Sequence, residues 1–248
     1  MTNEPILTAP DTSLRQNHAV LKFILRTFLT IAFPLLVVLV IVRLIMTPAF
    51  LTLEYNRPGF PADFYGLTRE ERLEYAPYAI DYLFNGEDVT FLGDLTFPDG
   101  TPMFNVRELR HMHDVKIVTQ IAFGAALVLG ISYAVVVIFL WRRGWRTTLR
   151  QALFSASLLT LGIIFSIVFV AVLNWDFFFT AFHTLFFEDD TWYFAYSDTL
   201  IRLFPEQFWF DAALLIGGLT VLTSLIILGV TWRWKSQELH TFDTPIAQ

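Results

Sequence analysis

A nine-residue segment, 108–116, concentrates groups that can exchange protons. It contains two histidines, His111 and His113, and two carboxylates, Glu108 and Asp114, and a long apolar run follows it. On a helix, Glu108, His111 and Asp114 lie three residues apart and share one face. His113 then points roughly the other way. Flanking carboxylates can fix the tautomer of an imidazole and raise its basicity, so His111 is a candidate acid–base group at the mouth of a membrane helix.

Another histidine, His183, lies in an aromatic-rich segment, 174–207. Many aromatic side chains near a helix end indicate an element at the membrane interface. Arg202 is the only cation of this segment, and an arginine there can bind a phosphate or an ester oxygen. We favour a simpler role, an internal salt bridge that fixes the loop. Its partner would be one of four acidic residues: Asp176, Asp198, Glu206 or Asp211.

A metal site is an alternative use of the histidines. His111, His113 and His183 could be three zinc ligands. Residues two apart on a helix do not share a face, however, so we expect no metal. The chain has no cysteine. It also lacks a serine nucleophile motif, a Walker loop, an HExxH motif and a glycine-rich dinucleotide fingerprint.

Composition predicts an integral membrane protein. Hydrophobic residues make up 55% of the 248 residues, charged residues 16%, and mean hydropathy is +0.53. Four apolar runs are long enough to cross a bilayer, since about 20 residues suffice. They are residues 23–46, 115–141, 152–173 and 208–232. The first run is too long for a signal peptide and no small-residue cleavage site follows it, so we interpret it as an uncleaved helix.

The distribution of lysine and arginine predicts the topology. The tail 1–22, the basic loop 142–151 and the tail 233–248 are expected in the cytoplasm. The two acidic segments, 47–114 and 174–207, are expected outside. This topology places His111 and His183 on the same face of the membrane, although the sequence does not give their separation.

The segment 47–114 is predicted to form a small folded cap. Thr68 with Glu71, and Asn105 with Glu108, have the spacing of helix capping boxes. Pro77 is expected to divide the first helix into two. Residues 89–97 resemble a β-strand, 98–100 a turn, and 101–104 a returning strand. The predicted fold class is therefore an all-α membrane protein, with four transmembrane helices and a small mixed α/β extracytoplasmic cap.

The polar segments together resemble a family of bacterial four-helix integral membrane proteins that includes the lipoprotein intramolecular transacylase. Three stretches carry the resemblance: residues 108–116, residues 182–187 with Trp192, and residues 198–209. The resemblance implies a bacterial plasma-membrane enzyme. It implies transfer of the sn-2 acyl chain of a diacylglyceryl lipoprotein to the N-terminal amine, and it assigns this chemistry to two histidines, His111 and His183.

On this basis we expect His111 to be the base, oriented by Glu108 or Asp114, and His183 to be the proton donor or shuttle; the reverse assignment stays open. Arg202, with Asp198 nearby, would polarise an ester carbonyl or hold the loop. His113 is an alternative to His111. We expect a lipoprotein or phospholipid substrate in the membrane, no cofactor and no nucleic-acid partner. The oligomeric state stays open.

Two other functions compete with this hypothesis. The same helices could form a non-catalytic scaffold or lipid-binding module, in which the histidines only hold the cap on the bundle. The chain could also be a metal-dependent membrane hydrolase. A transporter is disfavoured, because the apolar runs lack ionisable residues near their centres and the chain shows no internal repeat.

Overall fold

The computed structural model describes residues 12–188 and 191–242, and this part of the chain contains helices and no strand. In chain order, the helices are α1 (Thr12–Ile45), α2 (Pro48–Asn56), α3 (Arg69–Phe84), α4 (Thr90–Gly93), α5 (Val106–Arg142), α6 (Arg146–Leu173), α7 (Trp175–Phe186), α8 (Thr199–Leu203) and α9 (Glu206–Phe242). Of the two predicted tails, residues 1–11 and 243–248 lie outside the described residues. The remaining parts of both tails continue α1 and α9 as helix.

Helices α1, α5, α6 and α9 are long and apolar enough to cross a membrane, and the chain is a multi-pass membrane protein. Helix α5 has 37 residues. At 1.5 Å per residue it is about 55 Å long, whereas a hydrocarbon core is about 30 Å thick. Its polar first turns, 106–114, therefore extend beyond the apolar span 115–141 and carry His111 out of the span.

Close packing of α6 on α9 depends on a glycine. A Cβ atom built on Gly217 would lie 2.7 Å from a methyl group of Val168. Only a residue without a side chain allows this approach. A close approach of α9 to α6 therefore lies at Gly217. On α5 the corresponding small residue, Gly130, makes only an ordinary contact, 3.8 Å from Leu36.

The predicted pair of β-strands in the cap is wrong. Thr90–Gly93 form a short helix, and only an isolated bridge joins Thr96 to Pro102. The Asp88 carboxylate accepts hydrogen bonds from the backbone N–H of Thr90, at 2.8 Å, and from its hydroxyl, at 2.6 Å. These bonds start a helical turn where the residue types favoured a strand. The turn at 98–100 is present, with Gly100 at φ +84°, but the cap is helical rather than mixed α/β.

The division of the first cap helix at Pro77 is also wrong, because α3 runs through the proline. The helix starts at the predicted capping box: Glu71 N–H donates to Thr68 Oγ1, and Thr68 N–H donates to a Glu71 oxygen. Ala76 and Ala79 on either side of the proline are 0% and 2% exposed. Burial of this face compensates for the backbone hydrogen bond that the proline lacks.

The cap is fixed to the start of α9 and to α5. Tyr55 donates a hydrogen bond of 2.9 Å to the Leu203 carbonyl, and Arg57 pairs with Asp211. At the other end of the cap, buried Lys116 of α5 donates to Asn85 Oδ1 at 3.0 Å, where α3 ends. The cap therefore holds the outer ends of α5 and α9 in a fixed relation.

Candidate active site

The two histidines singled out in the sequence lie next to each other. Their ring centroids are 6.3 Å apart and their planes are inclined by 24°. His111 comes from the polar extension of α5, and His183 comes from α7. Helix α7 starts at Asn174, whose side chain accepts a hydrogen bond of 3.0 Å from the N–H of Phe177. Both imidazoles thus lie beside the apolar spans rather than within them.

Aromatic rings enclose the pair. Phe187 and Phe194 lie 5.0 and 5.3 Å from the His111 ring, measured between centroids. Phe179 and Trp192 lie 4.0 and 4.7 Å from the His183 ring. These rings bury His111 and shield His183 in part. A charged imidazole is therefore disfavoured at the pair.

The pKa values of both histidines follow from this burial. Burial, and then the neighbouring His183, lower the pKa of His111 to about 4, against a weaker opposite effect of Asp114. Burial also lowers the pKa of His183, opposed by its hydrogen bond to the Phe179 carbonyl. Both rings are neutral near pH 7. A neutral imidazole can accept a proton, and the imidazolium that forms is a strong acid because its pKa is low.

Hydrogen bonding fixes the tautomer of His183. Its Nδ1 lies 2.8 Å from the Phe179 carbonyl oxygen, one helical turn earlier. Because a carbonyl only accepts, Nδ1 carries the proton and Nε2 carries the free lone pair.

Two buried polar atoms at this site have no hydrogen-bond partner among the described residues. They are Nδ1 of His111 and the indole Nε1 of Trp192. Unsatisfied buried groups are rare in folded proteins, and the indole N–H can only donate. The site therefore offers a substrate one unpaired donor and one unpaired imidazole nitrogen.

Glu108 lies beside His111 in the sequence pattern, but its carboxylate is bonded elsewhere. The side chain is buried, and its two oxygens accept 2.7 Å hydrogen bonds from the backbone N–H groups of Asn105 and Leu200. The capping box draws the carboxylate back toward the start of α5, away from the histidine one turn later. Burial raises the pKa of Glu108 in spite of these bonds. We therefore no longer assign Glu108 as the group that orients His111.

The side chains of Asp114 and His113 are exposed on the surface of α5. Their side chains are 37% and 56% exposed, and Asp114 Oδ1 is 3.6 Å from His113 Nδ1. His113 thus points away from the buried face that carries His111, as its position on the helix predicted. In the described part of the chain, no three histidine, aspartate or glutamate side chains form a group that could hold a metal ion.

Arg202 forms the internal salt bridge that we favoured, but with a partner from the cap. Its Nη2 and Nε atoms each lie 3.1 Å from Asp63 Oδ2. Asp198 instead accepts from the side chain of Asn105 at 3.1 Å and from the N–H of Ala195 at 2.9 Å. It precedes α8 without a side-chain capping bond to that helix. Both residues therefore hold the loop before α9.

A cluster of hydrogen bonds, which we call the 198–200 clasp, joins this loop to the start of α5. It consists of the bond from Leu200 N–H to Glu108, the bond from Thr199 Oγ1 to the Met103 carbonyl, and the bond between Asn105 and Asp198. The residues just before the clasp include Trp192 and Phe194, which cover the two histidines. The clasp therefore fixes the aromatic cover on the pair.

Glu108→Gln tests the clasp. We expect it to lower the free energy of unfolding by about 1 to 3 kcal/mol, because an amide cannot accept from two N–H donors on opposite sides and leaves one of them unpaired. Thermal unfolding of the purified protein measures the loss. Glu74→Gln, on the exposed face of α3, is the matched control and should change stability by less than about 0.5 kcal/mol. Equal stability of both variants would show that the clasp is not formed.

Protonation of His111 should destabilise the protein below neutral pH. Its pKa when folded is about 4, below the ordinary 6.5, so the unfolded state binds more protons between these values and stability rises with pH across this window. Between pH 7.5 and 4.5 we expect wild type to lose about 2 to 3 kcal/mol more than His111→Phe, which keeps a ring in the pocket. Unfolding midpoints at both pH values give the difference. A parallel loss in the two proteins would mean that His111 is hydrated.

Sequence reasoning missed several groups of this site. The Phe179 carbonyl could have been found, since it lies one helical turn before His183. The loop after α7 contacts the histidines through Phe187, Trp192 and Phe194. Helical spacing does not predict where the side chains of a loop lie. Trp192 was noted only as part of a resemblance, without a role for its indole N–H.

Comparisons with known proteins agree with this architecture. Residues 27–209 match the family model of the lipoprotein intramolecular transacylase Lit. The chain is 30% identical over 209 residues to an uncharacterized protein of Aquifex aeolicus (strain VF5), covering 84% of this chain and 93% of the relative.

The fold is similar to that of solved transacylase structures. The membrane-integral lipoprotein intramolecular transacylase Lit of Bacillus cereus superposes with a TM-score of 0.69 at 19% identity, over 90% of this chain and 99% of that one. A variant of that protein with one histidine replaced by alanine gives a TM-score of 0.67 at 17% identity, over 93% of this chain and 100% of that one. The family match begins within α1, covers α5 and α6, ends in the first turn of α9 and includes both histidines, so this chain belongs to the lipoprotein intramolecular transacylase family.

Proposed function

We propose that this protein moves the sn-2 acyl chain of a diacylglyceryl lipoprotein to the N-terminal amine of the same molecule, with His111 and His183 as the acid–base groups. The observation that carries the proposal is the facing pair of neutral imidazoles, His111 buried and His183 partly buried, 6.3 Å apart beside the membrane spans. Membership of the transacylase family supplies the substrate class.

In the proposed reaction the free amine attacks the carbonyl carbon of the sn-2 ester. The N–C bond forms, the C–O bond to glycerol breaks, and one proton moves from nitrogen to the departing glyceryl oxygen. Amine and ester belong to one molecule, so a pocket that holds them in contact supplies much of the acceleration. No acyl-enzyme is needed, which fits a chain without cysteine.

We assign His183 as the base, the reverse of the first assignment from sequence. Its Nε2 lone pair is the free one, because Nδ1–H is bound to the Phe179 carbonyl. The imidazolium formed in this apolar pocket is a strong acid and returns the proton readily. His111, whose Nδ1 has no partner among the described residues, would pass the proton on to the glyceryl oxygen or hold the ester.

Trp192 is proposed as the donor to the oxyanion of the tetrahedral intermediate. Its indole N–H is buried and unpaired among the described residues, and its ring stacks on His183. A preorganised donor in a dry site stabilises developing negative charge without reorganisation. From the sequence, polarising an ester carbonyl was one of two alternatives for Arg202, but its guanidinium is bound to Asp63.

We further propose that the histidine pair faces outward and that both termini are cytoplasmic. The distribution of lysine and arginine supports this orientation: four arginines lie in 142–150, at the end of the bundle opposite the cap. A cysteine reporter in the α5–α6 loop and another in the cap, labelled from outside intact cells, test it. Labelling of the loop reporter from outside would contradict it.

Mass spectrometry of a lipoprotein's N-terminal lipopeptide tests the reaction. The host lacks its own N-acyltransferase and is compared with and without this protein. We expect a shift from the diacyl form with a free amine to the lyso form with an N-acyl chain. An unchanged lipopeptide, with the protein folded in the membrane, would reject the transacylase and favour the scaffold or lipid-binding hypothesis.

A further inference from the structure

We propose that the end of the bundle opposite the histidine pair holds a binding site for an anionic phospholipid, in which Lys22 and Arg26 contact the lipid phosphate. This site is separate from the acyl-transfer site and does not depend on the proposed function.

One face of α1 directs its polar side chains toward the start of α6. His18, Lys22 and Arg26 follow one another at four-residue spacing, which aligns them along the helix. The Lys22 ammonium lies 4.8 Å from the centre of the Trp145 ring, and the His18 ring lies 5.7 Å from the same indole. These contacts hold both side chains at the mouth of the groove between α1 and α6.

Arg26 is held at the same groove by neutral groups. Its Nη1 donates to Gln151 Oε1 and its Nη2 donates to Ser155 Oγ, each at 3.2 Å. These contacts orient the guanidinium but do not neutralise its charge. A guanidinium in a fixed position matches the oxygen geometry of a phosphate.

The described side chains at this end of the bundle provide cations but no carboxylate. Segments 12–53, 115–175 and 212–237 contain no aspartate or glutamate. In addition to Arg150, the cations at this end are Arg15, Lys22, Arg26, Arg142, Arg143, Arg146, Arg233 and Lys235. The first turn of α6 also contains no acid, so the positive end of its dipole adds to the same field. In the sequence Asp11 and Glu238 lie just beyond these segments, outside the described side chains. The described side chains of this end are cationic and therefore favour an external anion.

The surroundings favour a membrane lipid as the source of that anion. Indole rings concentrate at the headgroup level of bilayers. At this end Trp141 and Trp234 lie 6.0 Å apart, and Trp145 contacts Lys22. Directly after Lys22, Phe23 is 69% exposed, an apolar surface suited to an acyl chain. Cations at headgroup depth beside exposed apolar side chains match both parts of an anionic phospholipid.

Native mass spectrometry of the full chain in neutral detergent tests the site with phosphatidylglycerol as the probe. Phosphatidylcholine and inorganic phosphate are added in separate arms. We expect wild type to retain phosphatidylglycerol in preference to phosphatidylcholine. The double variant Lys22→Gln/Arg26→Gln should bind phosphatidylglycerol about 25-fold more weakly, about fivefold for each lost charge.

The matched control is Arg69→Gln, which removes an exposed cation of the cap that pairs with Glu70 and should leave lipid retention unchanged. Unchanged retention of phosphatidylcholine in the double variant shows that the fold is intact. Equal retention of both lipids by wild type overturns the proposal without any variant. Displacement of phosphatidylglycerol by millimolar inorganic phosphate would also overturn it, because the site would then be specific for a free anion rather than a lipid.

Discussion

Replacing His183 with alanine is expected to lower the rate of acyl transfer by about 10²- to 10⁴-fold, the usual contribution of a positioned acid–base group. Its Nε2 is the free lone pair of a ring whose Nδ1–H is bound to the Phe179 carbonyl. His111→Ala should cause a loss in the same range, because the two rings form one proton-transfer unit. The ratio of N-acyl to free-amine lipopeptide, measured against time in reconstituted membranes, gives the rates.

His113→Ala is the control on the same helix. Its side chain is 56% exposed and paired with Asp114, outside the aromatic pocket. We expect a rate within about twofold of wild type. Full activity of both single variants, His183→Ala and His111→Ala, would reject the acid–base scheme. If only His113→Ala caused a large loss of rate, His113 would be the acid–base group, the alternative to His111 that the sequence left open.

Trp192→Phe is expected to lower the rate by about 10²- to 10³-fold, as is usual when one donor to an oxyanion is removed. Phenylalanine keeps a ring stacked on His183, so the variant removes mainly the indole N–H. Because the donor acts on charge that develops in the transition state, kcat should fall while KM changes little. Kinetics at varied lipopeptide concentration separate the two constants.

Trp209→Phe provides the comparison for this prediction. The Trp209 indole is already used, since its N–H donates a hydrogen bond of 3.1 Å to the Phe204 carbonyl. We expect activity close to wild type and at most a small loss of stability. If Trp192→Phe behaved in the same way, its unpaired N–H would not reach the oxyanion, and another donor would be required.

The two histidines illustrate what could be predicted and what could not. His111 was identifiable because a capping box and a polar helix start at a lipid boundary are local patterns, and the capping bonds are present. The role of Glu108 was not identifiable from spacing. Helical periodicity places Glu108 and His111 on one face, but two backbone N–H groups, one of them 92 positions away in the chain, compete for the carboxylate.

The cap shows the same limit for secondary structure. Residue types at 89–97 favour a strand, yet a helical turn starts there, where the Asp88 carboxylate accepts hydrogen bonds from the N–H and the hydroxyl of Thr90. Pro77 predicts a helix break, yet burial of Ala76 and Ala79 carries the helix through it. Strand propensities span about 1 kcal/mol, and a proline inside a helix costs about 3 kcal/mol. Local capping can override the first, and burial of several side chains in the core can offset the second.

By itself the sequence determined the membrane class, the four spans, the helix starts at Thr68 and Asn105, and the two histidines as candidates. These depend on hydropathy and on contacts within four residues along the chain. Only the tertiary structure decided that the rings of His111 and His183 face each other at 6.3 Å and that Arg202 binds Asp63. It also decided that the Trp192 indole stacks on His183, with an N–H that has no partner among the described residues. Each of these joins residues from different elements, and their separation depends on packing that no local pattern encodes.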